Sequence, residues 1–411
     1  MKKLLKIIAI VVVTLFFIVL AYAYIGYNTW SPGEVKATLD SGSLKYYQTS
    51  YADCRSSFRQ KALEMKSRFD SVAVFPIQVN SKTDSDLTID VCYIPAQKKK
   101  SKLLILSSGI HGVEGFVGSA VQQMVMAELI TEDMVAETGI LFIHAMNPYG
   151  FKNFRRVSEN NIDLNRNFET DTTLFSFKND GYTDLYDLLN PDEKANPENL
   201  KNKFFLLVAV QNLVKESMKS LRQAIMQGQY QYENGLYFGG QRFESQVSLI
   251  APVITRYANS YDKIMDIDLH SGYGELGVLH LFPDPVEDVK VKTAMEQVFT
   301  GYRIDWGDSD DFYTTYGGFS DYVGKLLPAK FYMPMVFEFG TLNSQTTLGV
   351  VHSLQNMVLE NQGFHHGYSS AKVKEEISLN FREMYCPSSP LWRSKVIADT
   401  RNMMGTVFRN F

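Results

Sequence analysis

Cysteine is scarce here: Cys54, Cys92 and Cys386 are all that 411 residues hold, an odd set with no Cys-x-x-Cys step. At most one disulfide can form, and any zinc bound here must be held by histidine and carboxylate. An excess of positive charge is lacking too. Lysine plus arginine number 41 against 45 aspartate plus glutamate, a formal charge of -4 with a pI near 6.0, so there is no basic footprint for nucleic acid. No internal repeat and no low-complexity segment appears. With 45% hydrophobic and 21% charged residues, the chain can bury a large core, as one large domain or two ordinary ones.

Long apolar runs are absent except at the start, where Lys2, Lys3 and Lys6 precede Ile7 to Ala23. That pattern reads as a signal-anchor that would keep the N-terminus in the cytoplasm and send the rest outward. The small-x-small step Ala21-Tyr22-Ala23 leaves a cleaved signal peptide open. In either case the remainder is extracytoplasmic, periplasmic or extracellular. Residues 1–30 are thus a membrane segment with linker, and Trp30-Ser-Pro-Gly33 has the composition of that linker.

Tyr47 to Phe69 then reads as a helix, and Ala73–Ile77 and Leu87–Ile94 as strands. Leu103–Leu106 reads as a buried strand, and Gly109 and Gly112 mark the loop that leaves it. Phe116 to Ile130 has helical spacing, so His111 and Glu114 sit at a strand end beside the first turn of a helix. Imidazole and carboxylate with two residues between them can reach one cation. A second apolar run, Ile140–Ile143, ends at Asn147-Pro-Tyr-Gly150, followed by a charged stretch with Arg155, Arg156, Asp163, Asn165 and Arg166. Planar guanidinium groups there suit carboxylate recognition.

Between 169 and 262 the pattern gives an insertion, with a long helix from Pro197 to Met226 capped by Asn196 and a stretch rich in glycine and aromatics from Gly228 to Gly240. Lys263–His270 reads as a strand with Asp266, Asp268 and His270 on one face. His144 and His280 fall in other strand-like runs, and His365-His366 in a loop between Gly363 and Gly367. Met335–Thr341 reads as a buried strand carrying one carboxylate, Glu338, which is costly there without a purpose.

The order His111-x-x-Glu114, Asn-Pro-x-Gly, Arg, Asp163-Leu-Asn-Arg-Asn-Phe168, then His270-Ser271, resembles the zinc carboxypeptidase family of carboxypeptidase A-like metallopeptidases. Tyr313-x-x-x-Gly-Gly-x-x-Asp321 is similar to that family's substrate loop, and Phe337-Glu338 to its catalytic Phe-Glu, although Gly340 stands where a basic residue is usual. Residues 44–411 further resemble a bacterial branch of the same family, through Tyr47–Ala62, Gly228–Gly240 and Pro390-Leu-Trp-Arg393; labels in that branch rest on homology alone.

The resemblance implies an α/β fold, a mixed, largely parallel central sheet with helices on both faces, in which 44–411 is the catalytic domain. It implies one zinc ion held by His111, Glu114 and His270, with Asp163 orienting His111. Glu338 would be the general base, Arg156 would polarise the carbonyl, and Asn165, Arg166 and Tyr313 would bind substrate, with Ser320 at the pocket. The implied activity is a metallocarboxypeptidase acting on peptides outside the cytoplasm. An amidohydrolase acting on N-acyl amino acids or cell-wall peptides shares the same centre. A zinc-bearing binding module without turnover is a third reading, which the intact Glu338 opposes.

Overall fold

The computed structural model describes residues 2–213, 223–306 and 315–411. Seven strands form one sheet: β1 (Ala73–Gln78), β2 (Thr88–Ile94), β3 (Lys102–Ser108), β4 (Thr138–His144), β5 (Lys263–Gly272), β6 (Leu279–Phe282) and β7 (Phe331–Gly340). Their order is β1-β2-β4-β3-β5-β7-β6. The four central strands β4, β3, β5 and β7 run parallel, and the outer pairings are antiparallel. Strands buried on both faces read as continuous apolar runs, as β3 and β4 do; β1, at the edge, tolerates Pro76 and alternates in exposure.

Successive side chains of β3 serve opposite faces. Leu104 and Leu106 join a core made with Val117 and Val121 of the Gly115–Met124 helix, Phe58 of the Tyr51–Arg68 helix and Trp392 of the Pro390–Asn410 helix. Leu103 and Ile105 join the other core, with Ile250 of the Ser245–Ala258 helix and Val323 of the Phe319–Leu326 helix. Helices therefore cover both faces, as the sequence led us to expect. The Gly115–Met124 helix is buried along its whole length, and its continuation, Val125–Leu129, widens into a π turn.

Two segments depart from the sequence reading. The 197–226 stretch is not one helix from Pro197: helix starts at Leu200 with Asn199 as cap, restarts as Phe205–Leu213, and 223–226 is helical, while 214–222 lie outside the described residues. Asn196 instead accepts the Glu198 N–H. His365-His366 forms the last turn of the Thr347–His366 helix, not a loop. The three cysteines, for which the sequence left at most one disulfide open, are free thiols, which is no departure.

A third buried cluster joins residues of 182–209 and 225–237 to the Thr347–His366 and Ala371–Tyr385 helices, and includes Tyr27 from the end of the N-terminal helix. That helix, Lys2–Asn28, contains 24 residues, Leu5–Asn28, long and apolar enough to cross a membrane, and its most apolar stretch packs on nothing.

Candidate active site

Parallel neighbours place equivalent ends side by side. Because Ser108 of β3 pairs with Leu269 of β5, the loop after β3 that carries His111 arrives next to His270. Glu114 follows in the short Gly112–Glu114 turn, pinned by Gly112 and Val113 N–H donation to the carbonyls of Arg156 and Arg155, at 3.0 and 2.9 Å. One strand further, His270 pairs in register with Glu338 of β7. The site thus lies at the carboxyl ends of the parallel strands, where open α/β sheets place their ligands.

Here three donors converge. His111 Nδ1 lies 2.9 Å from Glu114 Oε1, His270 Nδ1 lies 2.9 Å from Glu114 Oε2, and the two Nδ1 atoms are 3.2 Å apart. All three residues are at most 4% exposed. The far nitrogens are also engaged: His111 Nε2 with Asp163 Oδ1 at 3.1 Å, and His270 Nε2 with Asp268 Oδ2 at 2.7 Å. A carboxylate on Nε2–H fixes the tautomer that turns a lone pair on Nδ1 toward the centre. Two such lone pairs 3.2 Å apart with a carboxylate between them suit a shared cation. Charge agrees. Three buried carboxylates, Glu114, Asp163 and Asp268, surround the two imidazoles, and Arg156 contacts two of them, Glu114 and Asp163, so the centre favours a cation. The donor set therefore fits zinc.

The electrostatics follow. Burial alone would raise the Glu114 carboxyl, but the two imidazoles hold it well below the usual range. Burial opposes charge on His270, yet Asp268 and Glu114 push its pKa up. Burial would likewise raise Asp163, and Arg156 and His111 pull it far down. Glu338 goes the other way: burial, then the nearby Glu114 charge, push its carboxyl up to about 8. Its Oε1 accepts the Tyr273 N–H at 2.9 Å. A cation beside it would lower that value again.

A cavity of about 580 Å³ opens over this cluster, and Arg156, Asn165, Arg166 and Glu338 line it. Arg156 Nη1 is 3.3 Å from Glu114 Oε1 and its Nε 3.2 Å from Asp163 Oδ2. Arg155, by contrast, turns away to Glu360 at 2.8 Å. Arg166 is 3% exposed, and its guanidinium donates only to main-chain carbonyls, Met226 O and Asn165 O, so among the described residues it has no carboxylate partner. Asn165 Oδ1 is committed to the Phe319 N–H at 2.9 Å.

Tyr313 lies outside the described residues. Ser320, expected at the pocket, is buried behind its wall, which Gly318 and Asp321 line instead. Gly340 is explained sterically: a Cβ there would meet the Glu275 carbonyl oxygen at 1.9 Å, so no basic side chain fits.

His144 and His280 serve structure. His144 is buried against Phe58, bonds Ser119 Oγ at 3.0 Å, and is pushed down to about 3 by burial. His280 accepts the Glu275 N–H at 3.0 Å. Sequence reasoning gave no role to Asp268, although period-2 alternation had put it on the face of His270. It also missed Tyr237 and Tyr385, whose rings stand beside Arg156, one 5.5 Å from it and the other with its hydroxyl at 3.5 Å.

Fold and site together define an α/β protein with a buried two-histidine, one-carboxylate centre at its strand ends. The chain belongs to the family described as "Protein of unknown function (DUF2817)", which matches residues 47–399. No curated protein matches it in sequence. Solved structures similar to it come from the class that the motifs resemble. Thrombin activatable fibrinolysis inhibitor is 16% identical, with 82% of this chain and 76% of that one covered, at a TM-score of 0.44. Carboxypeptidase A from Helicoverpa armigera is 14% identical, covering 80% and 73%, at 0.38. A metallo-carboxypeptidase from Burkholderia cenocepacia is 12% identical, covering 77% and 70%, at 0.39. At such scores these likenesses carry no weight for function, which rests on the chain's own residues.

Proposed function

We propose that the chain is a zinc-dependent metallopeptidase of carboxypeptidase type, anchored by its N-terminal helix, with residues 44–411 as the catalytic unit outside the cytoplasm. One observation carries it: two imidazole Nδ1 atoms and a carboxylate meet at one point, and each imidazole is held from behind by a buried aspartate. Zinc bound there supplies Lewis-acid chemistry, polarising a carbonyl and making water nucleophilic near neutral pH.

The chain's own groups do the rest. Glu338, register partner of His270, takes the proton of the attacking water and returns it to the leaving nitrogen. Arg156, close to the centre, donates to the carbonyl oxygen as negative charge develops on it. Arg166, a buried cation with no carboxylate partner among the described residues, recognises the substrate's terminal carboxylate, alongside Asn165 and Tyr313. Asp163 and Asp268 keep the imidazoles aimed.

Two tests arise here. Asp163→Asn keeps the size but weakens the hold on His111, and zinc affinity should fall about ten- to a hundred-fold in a chelator competition. An unchanged affinity removes the orienting role. Amidating the C-terminus of a peptide substrate removes the charge that meets Arg166, a change of roughly 2–5 kcal/mol, so kcat/KM should fall about thirtyfold or more. Arg166→Ala should compress the ratio of free-acid to amidated substrate. A wild-type ratio near one would contradict the carboxypeptidase assignment.

A further inference from the structure

The cavity has walls of two kinds. Asp284 and Asp321 line part of it, and Ile225, Tyr237, Val351, Leu354, Met357 and Tyr385 make an apolar part. The apolar part begins at the centre itself. Arg156 Nη1 stands 3.3 Å from Glu114 Oε1 and 3.5 Å from the Tyr385 hydroxyl, which in turn donates to Met357 Sδ at 2.9 Å. Behind that wall lies a packed core that reaches the anchor. Tyr27, 2% exposed, belongs to the same buried cluster as Tyr237, Val351, Met357 and Val113, and Val113 sits between His111 and Glu114.

The last turn of the N-terminal helix is fixed to this wall. Tyr27 donates its hydroxyl to Gln355 Oε1 at 2.6 Å, and His352 is stacked on both Tyr27 and Trp30, with centroids 4.2 and 4.6 Å apart. Asn28 Nδ2 donates to the Lys203 carbonyl at 2.9 Å, and Tyr24 packs on Phe204. His352 and Gln355 belong to the Thr347–His366 helix whose Val351 and Leu354 line the cavity, so one helix joins anchor and pocket. Nearby, Leu200 and Val210 are left 75% and 38% exposed. A bilayer spanned by Leu5–Asn28 would therefore end against the helix that also lines the cavity. A water-soluble peptide gains nothing from this placement, whereas an amphiphile already in the bilayer does.

We propose that the centre acts on long-chain N-acyl amino acids taken from the membrane, with the acyl chain on the apolar wall and the free carboxylate at Arg166. This rests on the zinc-dependent carboxypeptidase-type reading above, since an N-acyl amino acid presents the same amide next to a free terminal carboxylate. Water's oxygen joins the carbonyl carbon and the amide C–N bond breaks. One water proton reaches the leaving nitrogen through Glu338, giving a fatty acid and a free amino acid.

The test uses the full-length chain in phosphatidylethanolamine–phosphatidylglycerol vesicles with zinc. Its substrates are N-acetyl-, N-octanoyl- and N-dodecanoyl-alanine and a short soluble peptide ending in alanine. Expected is a rise in kcat/KM with chain length, about a hundredfold or more from acetyl to dodecanoyl. Leu354→Gln should cut the dodecanoyl-to-acetyl ratio about tenfold, a ratio that cancels any loss of active fraction. Val350→Gln, in the same wall, provides a second variant should the first not fold. A wild-type ratio near one, with zinc-dependent cleavage of the peptide, overturns this inference and leaves the proposed function standing. No zinc-dependent hydrolysis of any substrate overturns both. An unchanged ratio in both variants removes the wall from substrate binding.

Discussion

Replacing Glu338 by glutamine is expected to lower kcat by about a hundred- to ten-thousand-fold while the bound metal stays in place. The side chain lies opposite His270 across the β5–β7 pair but is not one of the three converging donors. The Tyr273 N–H holds one of its oxygens, so an amide of the same shape can keep that bond through its own oxygen. What the amide cannot do is accept water's proton. Metal content and kcat measured on the same preparation separate this role from that of a ligand. Activity within about tenfold of wild type would move the base elsewhere.

His270→Ala is expected to act more broadly. It removes one of three donors, so zinc should be lost and turnover should fall to background. It also leaves Asp268, whose Oδ2 sits 2.7 Å from His270 Nε2, and Glu114, 2.9 Å from His270 Nδ1, buried without that imidazole. Stranding a buried charge by deleting its partner typically costs about 3–5 kcal/mol, so the melting temperature should fall as well. Retention of zinc and of the wild-type melting temperature would show that His270 is not part of the centre.

His111 and Glu114 were legible because the signal is local: an apolar run, two glycines and the start of a helical pattern fix a strand end within a few residues. His270 was legible because its strand ends the same way. Their meeting depends on the parallel pairing of β3 with β5, which the sequence could suggest only through resemblance. Period-2 alternation put Asp268 on the correct face but could not name its partner. The His365-His366 misreading has a definite cause. In sequence alone Gly363 reads as a loop signal, but it is a packing position inside a helix, where a Cβ would strike the Tyr368 ring at 2.1 Å. The apolar wall was invisible for a different reason. Tyr237, Val351 and Tyr385 are far apart in sequence, and only the packed fold brings them to one cavity.

The most direct test is elemental analysis of the purified full-length chain, wild type and His270→Ala together, after dialysis against metal-free buffer. The account predicts about one zinc per wild-type chain and essentially none in the variant. No stoichiometric metal in the wild type, or equal zinc in both, would contradict it.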